Sequence, residues 1–395
     1  MSADGQLRVL QIGKFYPPHI GGMETHLQVL STELRKHLSL KVIVASDERR
    51  SAQTTIDGVD ITRVGTKFTV AGAPVCPQMA AQIRRAQADL VHIHLPNPTA
   101  VLAYLLSRHK SRLIVTWHSD VVRQKVLARL FEPLQRLILK RCSALIATSP
   151  NYIASSPTLW DYRERCQAIP YGISVERFKR CDAAAVEAIR GRYGSRIVLC
   201  VGRLVYYKGI EYLIRAMANV KGMLLVVGDG PMRASLEKEA RGLRLEDRVA
   251  FLGASADPSP FFQACDVFVL PSVARSEAFG IVQLEAMACG KPVVNTQLAS
   301  GVPFVSMDGV TGITVPPGDA GALAGAINYL LDDPARAAAY GQAALRRVRE
   351  EFSVEKMVSR TLELYREVAC ANGNGEVHIP APDNAETGVS ATAAA

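Results

Sequence analysis

A chain of 395 residues is too long for one ordinary hydrophobic core, so we expect two or three domains. A hydrophobic fraction of 48% and a charged fraction of 21% are typical of a globular protein and exclude an intrinsically disordered one. The formal net charge of +9 suits an anionic partner, but an aromatic content of 6% without any nucleic-acid-binding motif argues against nucleic acid.

The sequence also indicates a compartment. No apolar run is long enough to span a membrane, and the short polar N-terminus is not typical of a signal peptide. The eight cysteines are scattered without a Cys-x-x-Cys pair, as expected of buried thiols in a reducing cytosol. We therefore predict a cytoplasmic protein, with peripheral contact at the inner face of the cytoplasmic membrane as a further hypothesis.

The first half of the chain alternates short apolar runs with helical patterns. Each apolar run is typical of a buried parallel strand, and the runs are Leu7–Ile12, Lys41–Ala45, Leu90–His94, Leu113–Trp117 and Ala144–Thr148. Helices are predicted between them at Glu24–His37 and Thr99–Ser107. This alternation predicts an α/β fold with a doubly wound parallel sheet.

The pattern then restarts in the second half. Strands are predicted at Ile197–Val201, Met223–Val227, Arg248–Leu252, Val267–Leu270 and Pro292–Val294, with a helix at Gly209–Asn219. We therefore predict one Rossmann-like domain over residues 1–175 and another over residues 190–350. An amphipathic helix follows within residues 351–370, and the tail over residues 371–395 has the composition of a disordered segment.

The segment Ser276–Val293, with the sequence SEAFGIVQLEAMACGKPV, contains two glutamates eight positions apart. Glu277 precedes a predicted helix, and Glu285 lies inside it. Free backbone N–H groups at a helix N-terminus favour a phosphate, and a carboxylate can accept two hydrogen bonds from a ribose or sugar diol. The pair therefore indicates a nucleotide-sugar site, although the spacing alone is also typical of an ordinary capping or salt-bridging pair.

Basic residues lie in the loop after the first predicted strand of the second sheet. Arg203 and Lys208 occur there in the sequence VGRLVYYKG, and ligands of open α/β sheets bind at such loops. Two cations at this position would neutralise a diphosphate and stabilise the charge that develops as it leaves. Taken alone, they are also typical of solvated surface charges.

Two further segments follow strands of the first domain. Gly21 and Gly22, in YPPHIGGM, would allow backbone amides to approach a phosphate or an acceptor closely. His118, in WHSD, would face the cleft and contact donor sugar hydroxyls, although a single histidine at a strand end is usually structural. His92 and His94 resemble a metal pair, but no third ligand has suitable spacing, so we predict no metal site.

This set of residues resembles the large family-4 group of retaining glycosyltransferases, also called group 1. The E-x(7)-E spacing from Glu277 to Glu285 is similar to that family's most specific motif, and the resemblance covers roughly residues 7–370. It implies the GT-B fold, in which two Rossmann-like domains face each other across a cleft. It also implies that the first domain binds the acceptor, that the second binds the donor, and that a C-terminal helix crosses back to the first domain.

The same resemblance implies a UDP- or GDP-sugar donor, used as a substrate, with no cofactor and no metal. In the family the diphosphate is held by basic residues, the ribose by the second glutamate and the donor sugar by the first. The residues assigned to catalysis are His118, Arg203, Lys208 and Glu277. The residues assigned to donor binding are Gly21, Gly22, Arg203, Lys208, Phe251, Ala278, Phe279, Gly280, Ile281 and Glu285.

The acceptor side is indicated by Val121–Arg141, which contains six Lys or Arg residues and one Glu. Its apolar residues recur at helical spacing, and Pro133 is expected to break or kink the helix. Such a helix either lies on an anionic membrane surface or packs against the core with solvated charges. We predict transfer of a hexose to a glycan or lipid-linked acceptor in bacterial polysaccharide or glycolipid synthesis, with mannosyltransferases among the similar enzymes.

Three alternatives remain open from the sequence. The first is a sugar-nucleotide epimerase or hydrolase of the same two-domain shape. The second is a non-catalytic nucleotide-sugar-binding protein. The third, an NAD-dependent oxidoreductase, is disfavoured because Gly228-Asp229-Gly230 is followed by Pro231 and does not complete a Gly-x-Gly-x-x-Gly fingerprint.

Overall fold

The computed structural model describes residues 6–19, 21–120, 125–179 and 182–371, without the side chains of residues 125–128. The predicted disordered tail lies, apart from Ala371, outside the described residues. Two α/β units follow each other along the chain, each built on a parallel sheet with helices on both faces, as the alternating pattern predicts.

The first unit is built on an eight-stranded sheet with the order β10-β9-β8-β7-β1-β2-β4-β3, in which β3 alone is antiparallel to its neighbour. Its strands are β1 Arg8–Ile12, β2 Ser39–Ala45, β3 Ala52–Ile56, β4 Val59–Val64, β7 Leu90–Leu95, β8 Arg112–Trp117, β9 Ala144–Ala147 and β10 Cys166–Ala168. A separate hairpin consists of β5 Phe68–Val70 and β6 Ala73–Val75.

The helices of the first unit cover its sheet. They are α1 Gly22–Leu34, α2 Met79–Arg85, α3 Pro98–Ser107, α4 Lys125–Arg141, α5 Pro150–Ser155 and α6 Pro157–Trp160. Helix α1 ends three residues before the predicted His37. Of the two expectations for Pro133, a break or a kink, the break does not occur, because helix α4 continues through this residue.

The second unit has a six-stranded, fully parallel sheet with the order β13-β12-β11-β14-β15-β16. Its strands are β11 Ile197–Val201, β12 Met223–Val227, β13 Val249–Gly253, β14 Val267–Leu270, β15 Val293–Thr296 and β16 Gly312–Val315. Its helices are α7 Val175–Lys179, α8 Ala183–Tyr193, α9 Ile210–Ala216, α10 Arg233–Gly242, α11 Ser259–Ala264, α12 Ile281–Ala288, α13 Val302–Val305, α14 Ala320–Leu331 and α15 Pro334–Glu351.

The last described helix, α16 Val354–Cys370, packs on the first unit although it follows the second in sequence. Its buried face, which includes Leu364 and Tyr365, joins the core around Leu27 and Leu30 of α1. The chain returns beside the first crossing between the units, because the backbone of Ile173 pairs with that of Phe352 and Ser353. The two crossings therefore lie side by side.

In both sheets the order in which successive strands are added reverses near the centre, while the strands there stay parallel. In the first sheet β1 lies between β7 and β2, and in the second β11 lies between β14 and β12. Loops at the carboxyl ends of such strands diverge and leave a crevice for a ligand. Among the described residues, no helix combines the length and the apolar character needed to cross a membrane.

Candidate active site

The second unit contributes a buried ion pair to the crevice. Lys208 ends a short 3-10 helix over residues 206–208, and its Nζ lies 2.6 Å from Oε2 of Glu277. The hydroxyl of Ser272 donates to the same carboxylate oxygen over 3.1 Å. Burial lowers the pKa of Lys208, but Glu277 more than offsets it, so that the net pKa is raised and the amine stays charged. The sequence predicted both residues as donor ligands, and the structure adds that they contact each other.

Glycines hold this part of the backbone in position. Gly209, with φ at 62°, lies where a Cβ would come within 2.2 Å of the carbonyl oxygen of Pro271. Gly280, with φ at 74°, starts helix α12, and a Cβ there would come within 2.6 Å of the Leu270 side chain. Because both positions combine left-handed backbone with close neighbours, only glycine fits them without strain.

Helix α12 begins immediately after the segment that contains Glu277. Ala278, Phe279 and Gly280 are buried, and Ile281 is half-buried at the first helical position. Backbone N–H groups in the first turn of a helix are free to bind an anion. The predicted donor-binding segment therefore lies at the positive end of a helix and beside the Lys208–Glu277 pair.

Glu285 lies a little more than one turn inside α12 with a partly exposed side chain. Desolvation raises its pKa to about 7, opposed by the positive charges of Arg177 and Lys208. A carboxyl group that titrates near neutrality can accept hydrogen bonds from a diol when ionised. Arg203, in contrast, is exposed in the loop after β11.

Phe251 differs from its predicted role. Its side chain packs against the hydrophobic core of the second unit, and its carbonyl oxygen accepts a long hydrogen bond of 3.4 Å from Arg233. The residue lies at the carboxyl end of β13, so its backbone reaches the crevice edge even though its ring is turned to the core.

The first unit contributes a chain of hydrogen bonds between neutral groups. His118 follows β8, and its Nδ1 lies 2.5 Å from the Tyr171 hydroxyl while its Nε2 lies 2.9 Å from Nδ1 of His94. The Nε2 atom of His94 is buried and has no hydrogen-bond partner in the part of the chain that the structure describes. Burial lowers the pKa of His94 and of His118 well below the ordinary value. Both rings are therefore neutral at physiological pH, and a proton on one nitrogen fixes the tautomer along the whole chain.

A third imidazole lies beside this pair. His26 of α1 is buried, and its ring nitrogen lies within 4.8 Å of ligand atoms of both His94 and His118. Sequence spacing could not reveal this group, because its members come from three separate elements. Neutral imidazoles are ligands for zinc, but the direct hydrogen bond between His94 and His118 would have to break to admit a metal. His92 bonds Tyr365 of α16 and Thr116 of β8, and its ring packs beside that of His94 with the centroids 4.4 Å apart.

Contacts across the crevice bring the two units together. The ring of Tyr171 lies edge-on to that of Phe279, with centroids 4.9 Å apart. Arg275 of the second unit donates to the Asp120 carboxylate of the first over 3.0 Å. Tyr171 therefore connects His118 directly to the segment that contains Glu277, and the predicted residues of both units border one site.

The glycine loop of the first unit is less constrained than expected. Gly22 begins α1, and a Cβ there would meet open space. Gly21 has extended backbone, and a Cβ would contact only the Glu24 carboxylate at the end of a flexible side chain. Within the described residues, packing therefore does not require glycine at either position.

Several residues at this site were not assigned to it from the sequence. They come from helices, loops and strand β7, which are far apart in the chain and meet only in the fold. They are Glu24, His26, His94, Asp120, Tyr171 and Arg275. Only the position of His94 at a strand end was visible beforehand.

A crevice between two doubly wound units, bordered by a helix N-terminus, a buried Lys–Glu pair and a neutral histidine, defines the class of nucleotide-sugar-dependent transferases of the GT-B architecture. Two family models match this chain: Glycosyl transferases group 1 over residues 186–347 and Glycosyltransferase Family 4 over residues 20–177.

Curated relatives match over nearly their whole length. The O-antigen chain mannosyltransferase C of Escherichia coli is 32% identical over 365 residues, covering 91% of this chain and 98% of that protein. The D-rhamnosyltransferase WbpZ of Pseudomonas aeruginosa is 32% identical over 353 residues, covering 88% and 92%. A GDP-mannose-dependent α-(1-6)-phosphatidylinositol monomannoside mannosyltransferase of Mycolicibacterium smegmatis is 30% identical over 358 residues, covering 85% and 92%.

Solved structures agree on the fold. Anabaena Alr3699/HepE in complex with UDP-glucose has a TM-score of 0.75 at 22% identity and covers 91% of this chain and 99% of that one. The chain therefore belongs to the family-4, group 1 glycosyltransferases, and the predicted GT-B fold is confirmed. It is a retaining glycosyltransferase, and the relatives support this function over the epimerase, hydrolase, oxidoreductase and binding-protein alternatives.

Proposed function

We propose that this enzyme transfers a hexose of the mannose type from a GDP-sugar to a glycan carried on a lipid, in the synthesis of a bacterial surface polysaccharide or glycolipid. The donor is a nucleotide sugar and the acceptor a glycan. Relatives named as mannosyltransferases and as GDP-mannose-dependent favour GDP over UDP, and the relative named for phosphatidylinositol monomannoside favours an acceptor with a lipid part.

The observation that carries the proposal is the buried Lys208–Glu277 pair beside the N-terminus of α12, facing His118 across the crevice through Tyr171. A diphosphate placed at the helix N-terminus would be within reach of Lys208 and of the exposed Arg203. These cations would stabilise the charge that grows on the leaving diphosphate as the glycosidic bond breaks. No metal is needed for this, because fixed positive charge and helix dipole already supply it.

The remaining roles follow from the chemistry of each group. Lys208 and Ser272 both contact Oε2 of Glu277. The other oxygen, Oε1, would accept hydrogen bonds from the donor sugar. Glu285 would hold the ribose diol. His118, a neutral ring, would bond a sugar hydroxyl without adding charge. We identify no nucleophile among the crevice residues that the structure describes, and we propose front-face displacement, in which the leaving phosphate oxygen takes the acceptor proton.

Peripheral membrane contact is a second part of the proposal. Helix α4 contains five basic residues and one glutamate, and its exposed residues include Leu130 and Leu137. Phe131 and Leu134 pack partly against the first core, while Ile138 and Leu139 are buried in it. The helix is thus attached to the core along one side while basic and apolar side chains point outward, an arrangement that suits an anionic membrane surface.

A donor screen tests the proposed function. Purified protein is titrated in a thermal-shift assay with GDP-mannose, UDP-glucose and ADP-glucose, and the donor should raise the melting temperature with increasing concentration. The selected donor is then incubated with lipid-linked glycan acceptors, and the product linkage is determined by NMR. The proposal predicts stabilisation by the GDP-sugar and an axial, retained anomeric bond. Stabilisation by UDP-glucose alone would overturn the GDP assignment, and an inverted product would overturn the mechanism.

A further inference from the structure

An apolar groove lies on the first domain, outside the crevice. It has a volume of about 420 Å³ and is formed by the β5–β6 hairpin, helix α3 and helix α4. Its lining is almost wholly apolar and includes Val70, Leu102, Leu106, Leu130 and Phe131. Volumes of roughly 300–1,000 Å³ are typical of sites that bind small molecules.

The side chains at the rim of this groove are unusually exposed for their type. Leu130 is 74% exposed and Leu106 is 58% exposed, and Val70 and Leu102 are each close to half exposed. Four large apolar side chains from three elements therefore form one continuous surface. Contiguous apolar surface of this kind on a soluble domain marks a binding site more often than scattered exposed leucines do.

One end of the groove lies near the crevice. Pro98 and Thr99, which line the groove, begin helix α3 directly after strand β7. His94, which bonds His118, precedes Pro98 by four residues, so their Cα atoms are at most about 14 Å apart. The groove therefore starts at the same edge of the first sheet as His94 and His118.

The charged residues near the groove indicate which kind of apolar ligand it would bind. Helix α4, which forms one wall, contains five Lys or Arg residues and one Glu. Arg129 and Lys140 are exposed on it, and Arg136 is exposed beside Glu132. The residues of α4 that line the groove are apolar, and its basic residues lie elsewhere on the same helix. An apolar groove beside a basic helix surface is complementary to a ligand that joins a hydrocarbon chain to an anionic group.

We propose that this groove holds the first part of the hydrocarbon chain of a lipid-phosphate acceptor. The phosphate would lie by the basic residues of α4, and the glycan would extend from there to His118 in the crevice. This inference rests on the proposed transfer to a lipid-carried glycan, and it assigns the lipid subsite to the hairpin, α3 and α4. A groove of this volume would enclose only part of a long chain, so the remainder would stay in the membrane.

A matched pair of acceptors tests this assignment. Both carry the same glycan and phosphate, one on a long isoprenoid chain in detergent and the other on a short, water-soluble alkyl chain. The groove variants are Leu106→Gln and Leu130→Gln, whose native side chains are exposed enough that folding should be kept. The control variant is Leu243→Gln, an exposed leucine of the second domain.

The expected result is a selective change in KM. Each groove variant should raise KM for the long-chain acceptor by roughly tenfold, since a polar amide would replace an apolar side chain that contacts the hydrocarbon chain. KM for the short-chain acceptor and for the donor should stay unchanged, and Leu243→Gln should resemble the wild type throughout. Equal KM changes for both acceptors, or no change for either, would overturn the subsite.

Other occupants give different outcomes. If the groove binds ordinary membrane acyl chains, the variants will lose binding to anionic phosphatidylglycerol vesicles without acceptor and keep normal KM for the detergent-solubilised acceptor. If a second copy of the chain covers it, the variants will change the mass measured by light scattering. Either result would overturn the proposal. If the wild-type enzyme transfers sugar to neither acceptor, that result would instead refute the proposed function and not the groove.

Discussion

The crevice has a charged wall, formed by the second domain, and a neutral wall, formed by the first. Both walls bury polar groups, but in opposite electrostatic states. On the second-domain wall, Lys208 and Glu277 are both charged, and each neutralises the other at 2.6 Å. On the first-domain wall, His94, His118 and Tyr171 are all uncharged and are joined by hydrogen bonds through His118. The charged wall suits a diphosphate, whereas the neutral wall suits sugar hydroxyls, which need hydrogen bonds and no net charge.

The polar groups of the two walls also differ in how they affect the stability of the protein. A buried ion pair is costly to desolvate and is often no more stable than a matched apolar pair, so its presence favours a functional reason. A chain of neutral imidazoles resists protonation because burial disfavours the charged form. The two walls should therefore respond differently to substitution and to pH.

The largest effect is expected from breaking the ion pair. Lys208→Met leaves the Glu277 carboxylate buried without its cation and should lower the free energy of unfolding by about 3–5 kcal/mol. The double variant Lys208→Met/Glu277→Leu should recover most of this loss in a urea titration. Transfer activity should nevertheless stay at least roughly a thousandfold below the wild type, because the charge stabilisation is gone. Recovery of activity together with stability would contradict the catalytic role of the pair.

The neutral wall should make the protein sensitive to acid. Burial lowers the pKa of both His26 and His92 to about 3, so the unfolded chain binds protons there below pH 6.5 while the folded protein does not. Stability is therefore fully present above pH 6.5 and is lost as pH falls. Between pH 7.5 and 5 these two residues together should cost roughly 4 kcal/mol, measured by urea titration at each pH.

A histidine variant provides the control for the acid effect. His26→Asn should reduce the slope of stability against pH, while His37→Asn, at an exposed position after α1, should leave it unchanged. An equal slope in all three proteins would show that the buried imidazoles are not its source.

On the charged wall, the contribution of Glu285 to stability should change with pH in the opposite direction to that of the buried histidines. Its folded pKa of about 7 lies above the ordinary value of 4.5, so its contribution to stability is present below pH 4.5 and is lost as pH rises through 7. We therefore expect Glu285→Gln to be more stable than the wild type by about 2 kcal/mol at pH 8. This is less than the full pKa shift would give, because part of the side chain reaches solvent. At pH 4.5 the difference should vanish. Glu246→Gln, at an exposed position, is the matched control.

A smaller effect is expected from His94, which we infer to orient His118 rather than to contact the sugar. His94→Asn should lower kcat by roughly tenfold with little change in KM for the donor, since one positioning hydrogen bond contributes about 1.4 kcal/mol. Glutamine at the same position, with a longer amide side chain, should restore part of the rate. A change confined to KM would indicate direct substrate contact instead.

The sequence predicted the repeating strands well because both sheets are parallel and buried on both faces. Runs such as Ile197–Val201 and Met223–Val227 are continuously apolar, and their bounds match the structure. The edge strand β3 was missed, since it is largely exposed and has no apolar pattern. The neighbouring strand β4 was missed although Val59, Ile61 and Val64 are buried, because polar residues interrupt its short apolar pattern. The β5–β6 hairpin was missed for the same reason as β3, since β5 is exposed throughout.

The site was predictable on one wall and largely hidden on the other. Glu277, Gly280 and Glu285 share one short segment, so their spacing is visible in the sequence, as is that of Arg203 and Lys208. The neutral wall combines His26, His94, His118 and Tyr171 from four distant segments, which only the sheet order brings together. The contact between Lys208 and Glu277 was also not predictable, because local spacing does not fix where two loops meet.

The central claim is that the charged wall binds the nucleotide while the neutral wall contacts the sugar. Calorimetric titration of GDP into the wild type and two variants tests this claim most directly. If the charged wall holds the nucleotide, Arg203→Ala should weaken GDP binding by roughly tenfold or more, a loss of at least about 1.4 kcal/mol. His118→Asn should bind GDP as tightly as the wild type while its transfer rate falls. An unchanged affinity in Arg203→Ala, or an equal loss in His118→Asn, would contradict this division.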